Sequence, residues 1–289
     1  MNAIDTLSKV IKSELSIGPN ERIAYSDSEA TRSRNGAGAP ILLLHGFTAD
    51  EKCWRLMLRS LGKHHRVVAL DFAGHGKSSK AADGNYSRVS QAERAHHLAT
   101  ELDIGPYHIL GHSMGGAVAT TLTIAHPEKV LSLGLIAPAG LREPHTSEFN
   151  SREASGVNPL IVSGDWTASD KIRYVTNGPW WLYFYARFLS GAQTRRERAH
   201  ASHYSKIFEQ LSREEPLAAS ELQGIRQPTF LLWGEGDRVL DPARSEQFAS
   251  NIPGIQVEKW KGIGHTPILE ASKETAKAYL AFIESLPGT

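Results

Sequence analysis

The feature of this 289-residue sequence that most restricts its fold is a repeated alternation of short apolar runs with segments of helical periodicity. The apolar runs are residues 41–44, 66–70, 107–110, 130–137, 229–233 and 255–260. The segments with apolar side chains at helical spacing include residues 91–102, 117–125 and 270–283. Each run has the length of a buried strand, and parallel strands need a helix-sized crossover between them. The order therefore predicts an α/β fold with a mostly parallel central sheet flanked by helices.

Residues 141–222 interrupt this alternation, because they contain several helix-like segments and no clear apolar strand. Nearly half of the aromatic residues of the chain fall in this interval. One predicted helix, residues 179–189, has Pro179 in its first turn and Gly191 beyond its end, as helix termini prefer. We expect a core of residues 1–140 and 223–289 with residues 141–222 inserted as a helical cap. Such a cap either covers a pocket or packs a small core of its own, and both roles fit its composition.

Charge and cysteine content narrow the possible partners and locations. The net charge is +1, so no overall field attracts the protein to nucleic acid, and a small or neutral substrate fits better. Cys53 is the only cysteine, which excludes an intramolecular disulfide and is compatible with a reducing compartment. The first 21 residues lack the apolar core and cleavage site of a signal peptide, and no apolar run reaches the roughly 18 residues of a membrane helix. We expect a cytoplasmic protein without an integral membrane segment.

Residues 111–116 read GHSMGG and match the pattern G-x-S-x-G, in which a serine sits on a sharp turn between a strand and a helix. An apolar run ends at Leu110 and a helix of small residues follows, which is the context that the pattern requires. The glycines suit a crowded backbone where a side chain would collide. A glycine-rich turn with an incidental serine is the alternative. In this context we predict that Ser113 is a nucleophile.

A serine nucleophile needs a histidine base, and on this arrangement of elements the carboxylate and then the histidine follow the serine along the chain. His265 lies in a loop between the last apolar run and the last helical segment. Asp237 follows the run that ends at residue 233. Two other carboxylates compete with it: Asp241 is a natural helix N-cap, and Glu235 suits a solvated loop. We predict His265 as the base and Asp237 as the acid that orients it.

Two backbone amides are predicted to bind the oxyanion that forms during the reaction. One belongs to Phe47, in the turn after the first apolar run, and the other to Met114, directly after the serine. A simple strand-ending turn is the alternative for residues 45–46. The cap residues predicted to line an acyl pocket are Trp166, Trp180, Trp181 and Phe184.

Five landmarks in this order resemble the α/β-hydrolase superfamily: residues 45–50, 71–78, 111–116, 234–241 and 264–265. Within it, the first block followed by Trp54, together with residues 137–140 and 158–161, is similar to the monoacylglycerol lipases with an α/β-hydrolase domain and to related bacterial lipases. The resemblance implies the α/β-hydrolase fold. It also implies hydrolysis of monoacylglycerols or of short- to medium-chain acyl esters through an acyl-enzyme, without a metal or cofactor.

Two other functions on the same fold stay open at this point. The meta-cleavage product hydrolases cleave carbon-carbon bonds with the same triad, although their oxyanion loop is usually longer than residues 45–50. A ligand-binding protein could also keep the triad and turn over slowly, and fast hydrolysis of a short-chain ester would exclude it. Ser113 argues against haloalkane dehalogenases and epoxide hydrolases, which place an aspartate at this turn.

Overall fold

The computed structural model describes residues 11–28, 38–142, 149–150, 152, 156, 158–178 and 180–287, without the side chains of residues 11 and 180–190. Eight strands in these ranges form one sheet. They are β1 (Ile11–Gly18), β2 (Glu21–Asp27), β3 (Gly38–Leu44), β4 (His65–Leu70), β5 (Tyr107–His112), β6 (Val130–Ile136), β7 (Thr229–Gly234) and β8 (Gln256–Trp260).

The strand order in the sheet is β1-β2-β4-β3-β5-β6-β7-β8. The pairs from β4 to β8 are parallel, whereas β1 and β2 run antiparallel at one edge. Strands β5 and β7 are buried at every position, as parallel strands covered on both faces must be. The predicted mostly parallel sheet is confirmed. The sequence pattern does not predict the edge hairpin, because its mixed polar and apolar residues lack the continuous apolar run of the central strands.

The described helices are α1 (Arg55–Leu61), α2 (Arg88–Glu101), α3 (Met114–Ala125), α4 (Ala168–Val175), α5 (Trp180–Ser212), α6 (Ala219–Gln223), α7 (Arg244–Asn251), α8 (Pro267–Glu270) and α9 (Ser272–Glu284). Alternate residues of β3 divide between two apolar clusters, so the clusters occupy opposite faces of the sheet. One cluster takes side chains from α2, α3 and α7, and the other takes them from α1 and α9. None of the helices formed by the described residues combines the length and apolar character needed to cross a bilayer.

The long helix α5 corrects one expectation. The sequence predicts a helix that ends before Gly191, but α5 continues through this residue for 33 residues in all. A glycine inside a helix costs only about 1 kcal/mol relative to alanine. The residues that follow include many alanine, arginine, glutamate and glutamine residues, which favour a helix and offset that cost. Pro179 lies outside the described residues.

A buried histidine in the sheet leads to a prediction about stability. His108 on β5 is fully buried, its Nδ1 lies 2.7 Å from Ser132 Oγ on β6, and burial lowers its pKa to about 4. Between that value and the ordinary pKa of 6.5, the unfolded chain binds more protons than the folded one, so stability falls as the pH falls. We expect up to about 1.4 kcal/mol per pH unit from this group between these two pKa values, and little above about pH 7.5.

Thermal unfolding followed from pH 8 to pH 4 checks this prediction. The variant His108→Gln removes the titrating group and keeps a side chain that can bond Ser132, so its melting temperature should fall less steeply below pH 6.5. The exposed His97→Gln is the matched control and should follow the wild-type slope. Equal slopes for His108→Gln and wild type would contradict the prediction.

Candidate active site

Ser113 occupies the turn between β5 and α3, in a left-handed backbone conformation with φ of 54°. A residue other than glycine is strained there, and the surrounding backbone holds it in place. The Ser113 N–H donates to Ile136 O at 3.0 Å, and Ser113 O accepts from Gly116 N at 2.9 Å. A Cβ at Gly115 would overlap with the carbonyl oxygen of Leu44, so only glycine permits this approach of helix to strand. The turn presents the Ser113 hydroxyl beyond the end of the sheet.

The three residues predicted as a triad lie in one chain of hydrogen bonds. Ser113 Oγ is 2.9 Å from His265 Nε2, and His265 Nδ1 is 2.7 Å from Asp237 Oδ2. All three side chains are buried. Because a carboxylate can only accept, the Asp237 contact keeps the imidazole proton on Nδ1 and leaves Nε2 free to accept the serine hydroxyl. This geometry allows Nε2 to take the proton from Ser113.

Asp237 is fixed by three further donors besides His265. Its Oδ1 accepts from the amides of Val239 at 2.8 Å and Leu240 at 3.0 Å, while its Oδ2 accepts from Trp233 Nε1 at 3.1 Å. The role of Trp233 as a donor to Asp237 is not predicted from the sequence. The sequence feature that could have indicated this role is a tryptophan at the end of a predicted strand, four residues before Asp237.

The two competing carboxylates lie elsewhere. Glu235 is exposed at the end of β7. Asp241 Oδ1 accepts from the Ala243 amide at 2.9 Å, in the turn before α7. Asp241 therefore bonds within the turn before α7, whose N-cap is Ala243 and not Asp241 as predicted. The hydrogen bond at His265 Nδ1 goes to Asp237.

The loop after β3 carries the first predicted oxyanion donor, and His45 holds this loop in shape. The His45 Nδ1–H donates to Gly46 O at 2.7 Å, and Nε2 accepts from Phe72 N at 3.0 Å. Burial lowers the pKa of His45 and opposes the nearby Asp71 charge, so the ring stays neutral in this pattern. His45 thus connects the loop after β3 to the loop after β4.

Phe47 and Met114, whose amides are the predicted oxyanion donors, belong to segments that adjoin Ser113. Met114 is the first residue of α3, where an N–H has no partner within the helix. A Cβ at Gly46 would lie 3.2 Å from Ser113 Cβ, so the loop packs directly on the serine. Among the turn and loop hydrogen bonds of the described residues, none is donated by either amide. Phe47 and Met114 also line the cavity that contains Ser113.

Thr48 connects this loop to the 141–222 segment. It has a strained φ of 58° although it is not glycine. Its Oγ1 donates to Leu160 O at 3.2 Å and accepts from Lys171 Nζ at 3.3 Å. Lys171 also pairs with Glu197 on α5. The residue after Phe47 is thus bonded to two residues of the 141–222 segment.

A cavity of about 780 Å³ opens beside Ser113, which is the size of a small-molecule site. Its apolar wall consists of Phe47, Met114, Val118, Leu141, Phe149, Leu160, Phe208, Leu211, Val239 and Leu240. Phe208 on α5 lies 5.7 Å from Phe47, ring centre to ring centre. Leu211 and Glu214 follow along the chain, and Glu214 Oε1 accepts from the Arg88 amide at 2.7 Å. The cavity lining therefore combines the serine and an apolar wall with charged residues such as Arg88 and Glu214.

The four predicted pocket aromatics are not all placed at this cavity. The Trp166 ring packs against Tyr174 at 6.4 Å, and its Nε1 donates to Pro159 O at 3.1 Å, so it belongs to a small apolar cluster beside the cavity and not to the wall. Trp180, Trp181 and Phe184 lie at the start of α5, and their side chains are outside the described part of the chain.

The sequence matches the model of the alpha/beta hydrolase family over residues 41–278. Among curated proteins, monoacylglycerol lipase abhd6-B of Xenopus laevis is 33% identical over 281 residues, covering 92% of this chain and 81% of that protein. Lipase 3 of Moraxella sp. (strain TA144) is 26% identical over 296 residues, covering 98% of this chain and 91% of that protein.

Solved structures of other hydrolases are also similar to this chain. A membrane phospholipase A, described as a bacterial virulence factor, superposes with a TM-score of 0.84 at 33% identity, covering 98% of this chain and 88% of that one. A meta-cleavage product hydrolase from Pseudomonas fluorescens superposes with a TM-score of 0.77 at 20% identity, covering 95% and 98%. The second likeness is one of fold alone.

Proposed function

Since the chain belongs to the alpha/beta hydrolase family and is a carboxylic ester hydrolase, we propose that Ser113 is its nucleophile, His265 its base and Asp237 the orienting acid. The observation that carries this proposal is the unbroken hydrogen-bond chain from Asp237 through His265 to the Ser113 hydroxyl. A nucleophile, a base and a group that orients the base at these distances is the general signature of covalent acyl transfer.

In this mechanism His265 Nε2 removes the hydroxyl proton as Ser113 Oγ attacks the ester carbonyl. The amides of Phe47 and Met114 donate to the oxyanion, and each such donor is typically worth about 10²- to 10³-fold in rate. The alcohol leaves with the proton held by His265, and the acyl group stays on Ser113. Water then attacks the acyl-enzyme with the same base, which releases the acid. Asp237 stays ionised throughout and stabilises the imidazolium.

We propose that the substrates are monoacylglycerols or short- to medium-chain acyl esters, with the acyl chain in the apolar cavity. Residues 141–222 act as a cap between the two parts of the core, residues 1–140 and 223–289. In support, several apolar residues of the cavity wall come from this segment, namely Phe149, Leu160, Phe208 and Leu211. The proposal retains Trp180, Trp181 and Phe184 as acyl-pocket residues at the start of α5.

A series of p-nitrophenyl esters from acetate to palmitate, with monoacylglycerols of matching length, tests the substrate class. We expect ester turnover with a defined optimum in acyl length. Leu211→Trp should move that optimum to shorter chains because the indole fills part of the cavity, and Trp181→Ala should also change it. Glu209→Trp, at an exposed position on the same helix, is the control and should keep the wild-type optimum.

Each proposal has an outcome that would contradict it. An optimum unchanged by Leu211→Trp would remove the acyl chain from this cavity, and one unchanged by Trp181→Ala would remove Trp181 from the pocket. Inertness toward every ester, with cleavage of a vinylogous diketone, would replace the ester assignment by carbon-carbon hydrolysis.

We also propose a cytoplasmic location. Cys53 is the single cysteine, and it is a free thiol that burial makes less acidic by raising its pKa. A free, unreactive thiol is compatible with a reducing compartment. Fractionation of the source cells checks the location, and recovery of the protein with the membranes would overturn it.

A further inference from the structure

The backbone of His265 is held on both sides by groups outside its own loop. The His265 N–H donates to Val175 O at 2.9 Å, at the end of α4. His265 O lies 2.8 Å from His112 Nε2, and burial lowers the pKa of His112 to about 3, so this neutral ring donates its Nε2–H. Both polar backbone atoms of His265 are therefore bonded.

The carboxylate of Glu270, at the end of α8, bonds the residues on either side of His265. Oε2 accepts from the Gly264 amide at 3.0 Å, and Oε1 accepts from the Thr266 amide at 3.1 Å and from Thr266 Oγ1 at 3.1 Å. Gly264 and Thr266 are both buried. One side chain thus fixes the two peptide units that determine where His265 projects.

The same carboxylate extends this contact to the 141–222 segment. Oε2 also accepts from the Asn177 amide at 2.7 Å, just after α4. A Cβ at Gly264 would lie 2.7 Å from that amide nitrogen, so the loop and residues 175–177 are in direct contact. With the bond from His265 to Val175, residues 175–177 and the histidine loop form one hydrogen-bonded unit.

Four donors converge on Glu270, and this number favours a carboxylate. Two carboxylate oxygens provide about four acceptor positions and present no hydrogen. A glutamine would keep one accepting oxygen and turn an amide NH₂ group toward donors at the other position. Charge-assisted bonds to a carboxylate are also stronger than bonds to a neutral amide. Glutamate therefore suits this position better than its nearest isostere.

We propose that Glu270 is a positioning residue for His265, and that it fastens residues 175–177 to the histidine loop. The inference rests on the proposed function, because it concerns the base that the function assigns. Glu270 acts through backbone amides and touches neither substrate nor the reacting atoms. Its removal should therefore lower the rate of the chemical step and leave substrate binding nearly unchanged.

The experiment compares Glu270→Gln and Glu270→Met with wild type, and Glu274→Met serves as the control because Glu274 is exposed on the next helix. A displacement of about 1 Å in a catalytic group can cost about 10²-fold in rate. We expect kcat to fall about 100-fold in Glu270→Met and about 10-fold in Glu270→Gln, with KM within about threefold of wild type. Glu274→Met should match wild type.

A second measurement reports on His265 itself. The Nδ1 proton shared with Asp237 should give a strongly downfield ¹H resonance in wild type, and this resonance should broaden or vanish in the Glu270 variants. Thermal unfolding identifies the folded variants, and Glu270→Gln alone decides the question if Glu270→Met fails to fold. A wild-type kcat and an intact resonance in a folded Glu270 variant would overturn the inference.

Ser113→Ala and His265→Ala, measured beside them, separate the two proposals. If both lose turnover while the Glu270 variants keep it, only the role of Glu270 is wrong. If Ser113→Ala keeps turnover, the proposed function itself fails, whatever the Glu270 variants do.

Discussion

Ser113→Ala is expected to lower kcat by about 10⁴-fold or more, because it removes the proposed nucleophile and leaves only substrate binding and the oxyanion donors. Alanine retains the Cβ, so it meets the same strain as serine at the φ of 54° and should not change the fold. The measurement is steady-state hydrolysis of a p-nitrophenyl ester at saturating concentration. The residual rate should also lose its dependence on His265, since the base has no hydroxyl left to deprotonate.

Ser132→Ala is the matched control, since it also removes one buried serine hydroxyl, in a strand next to β5. It should keep most of the wild-type kcat. A fluorophosphonate probe should label wild type on Ser113 and leave Ser113→Ala unlabelled. If Ser113→Ala kept turnover within tenfold of wild type, the acyl-enzyme mechanism would be contradicted.

Asp237→Asn is expected to reduce kcat by about 10⁴-fold with little change in KM. The physical reason is the direction of the surrounding donors. The amides of Val239 and Leu240 both point at Oδ1, so the asparagine oxygen will occupy that position and its NH₂ group will face His265. The histidine must then carry its proton on Nε2, where it faces the serine and cannot accept from it.

The two rival carboxylates supply the controls for this prediction. Glu235→Gln and Asp241→Asn change the charge of the same loop by the same amount, and both should stay within a few fold of wild type. If Asp241→Asn lost activity and Asp237→Asn kept it, the orienting acid would have to be reassigned. The comparison separates orientation of the base from a general effect of negative charge.

The elements that sequence reasoning predicted well are those whose signal is local. The apolar runs before Ser113 and Asp237 lie in β5 and β7, because a strand buried on both faces needs apolar residues at nearly every position. The turn at residues 111–116 was equally predictable from the sequence, because its glycines mark a place where two backbones approach closely. Chain order, together with its place in a loop between the last apolar run and the last helical segment, led to the prediction of His265 among thirteen histidines.

The features that escaped prediction depend on contacts between distant parts of the chain. Glu270 and Asn177 are 93 positions apart, and no local pattern marks their hydrogen bond. Trp166 seemed a pocket residue because of its type, but its position was decided by packing against Tyr174. Gly191 seemed a helix end because of its intrinsic preference, which its helix-favouring neighbours outweighed. In each case tertiary context or the surrounding sequence decided against the preference of a single residue.

Residues 137–228 connect β6 to its parallel neighbour β7, and such a crossover can lengthen or change its sequence without altering the pairing of the strands. A connection of this kind can therefore be replaced experimentally while the strands of the core keep their order. Residues 175–177 limit this freedom at the active site, since their backbone is bonded both to His265 and to Glu270. A chimaera that takes its crossover from another hydrolase must therefore transfer these three residues together with residues 264–270, or the grafted pocket will be joined to a displaced histidine.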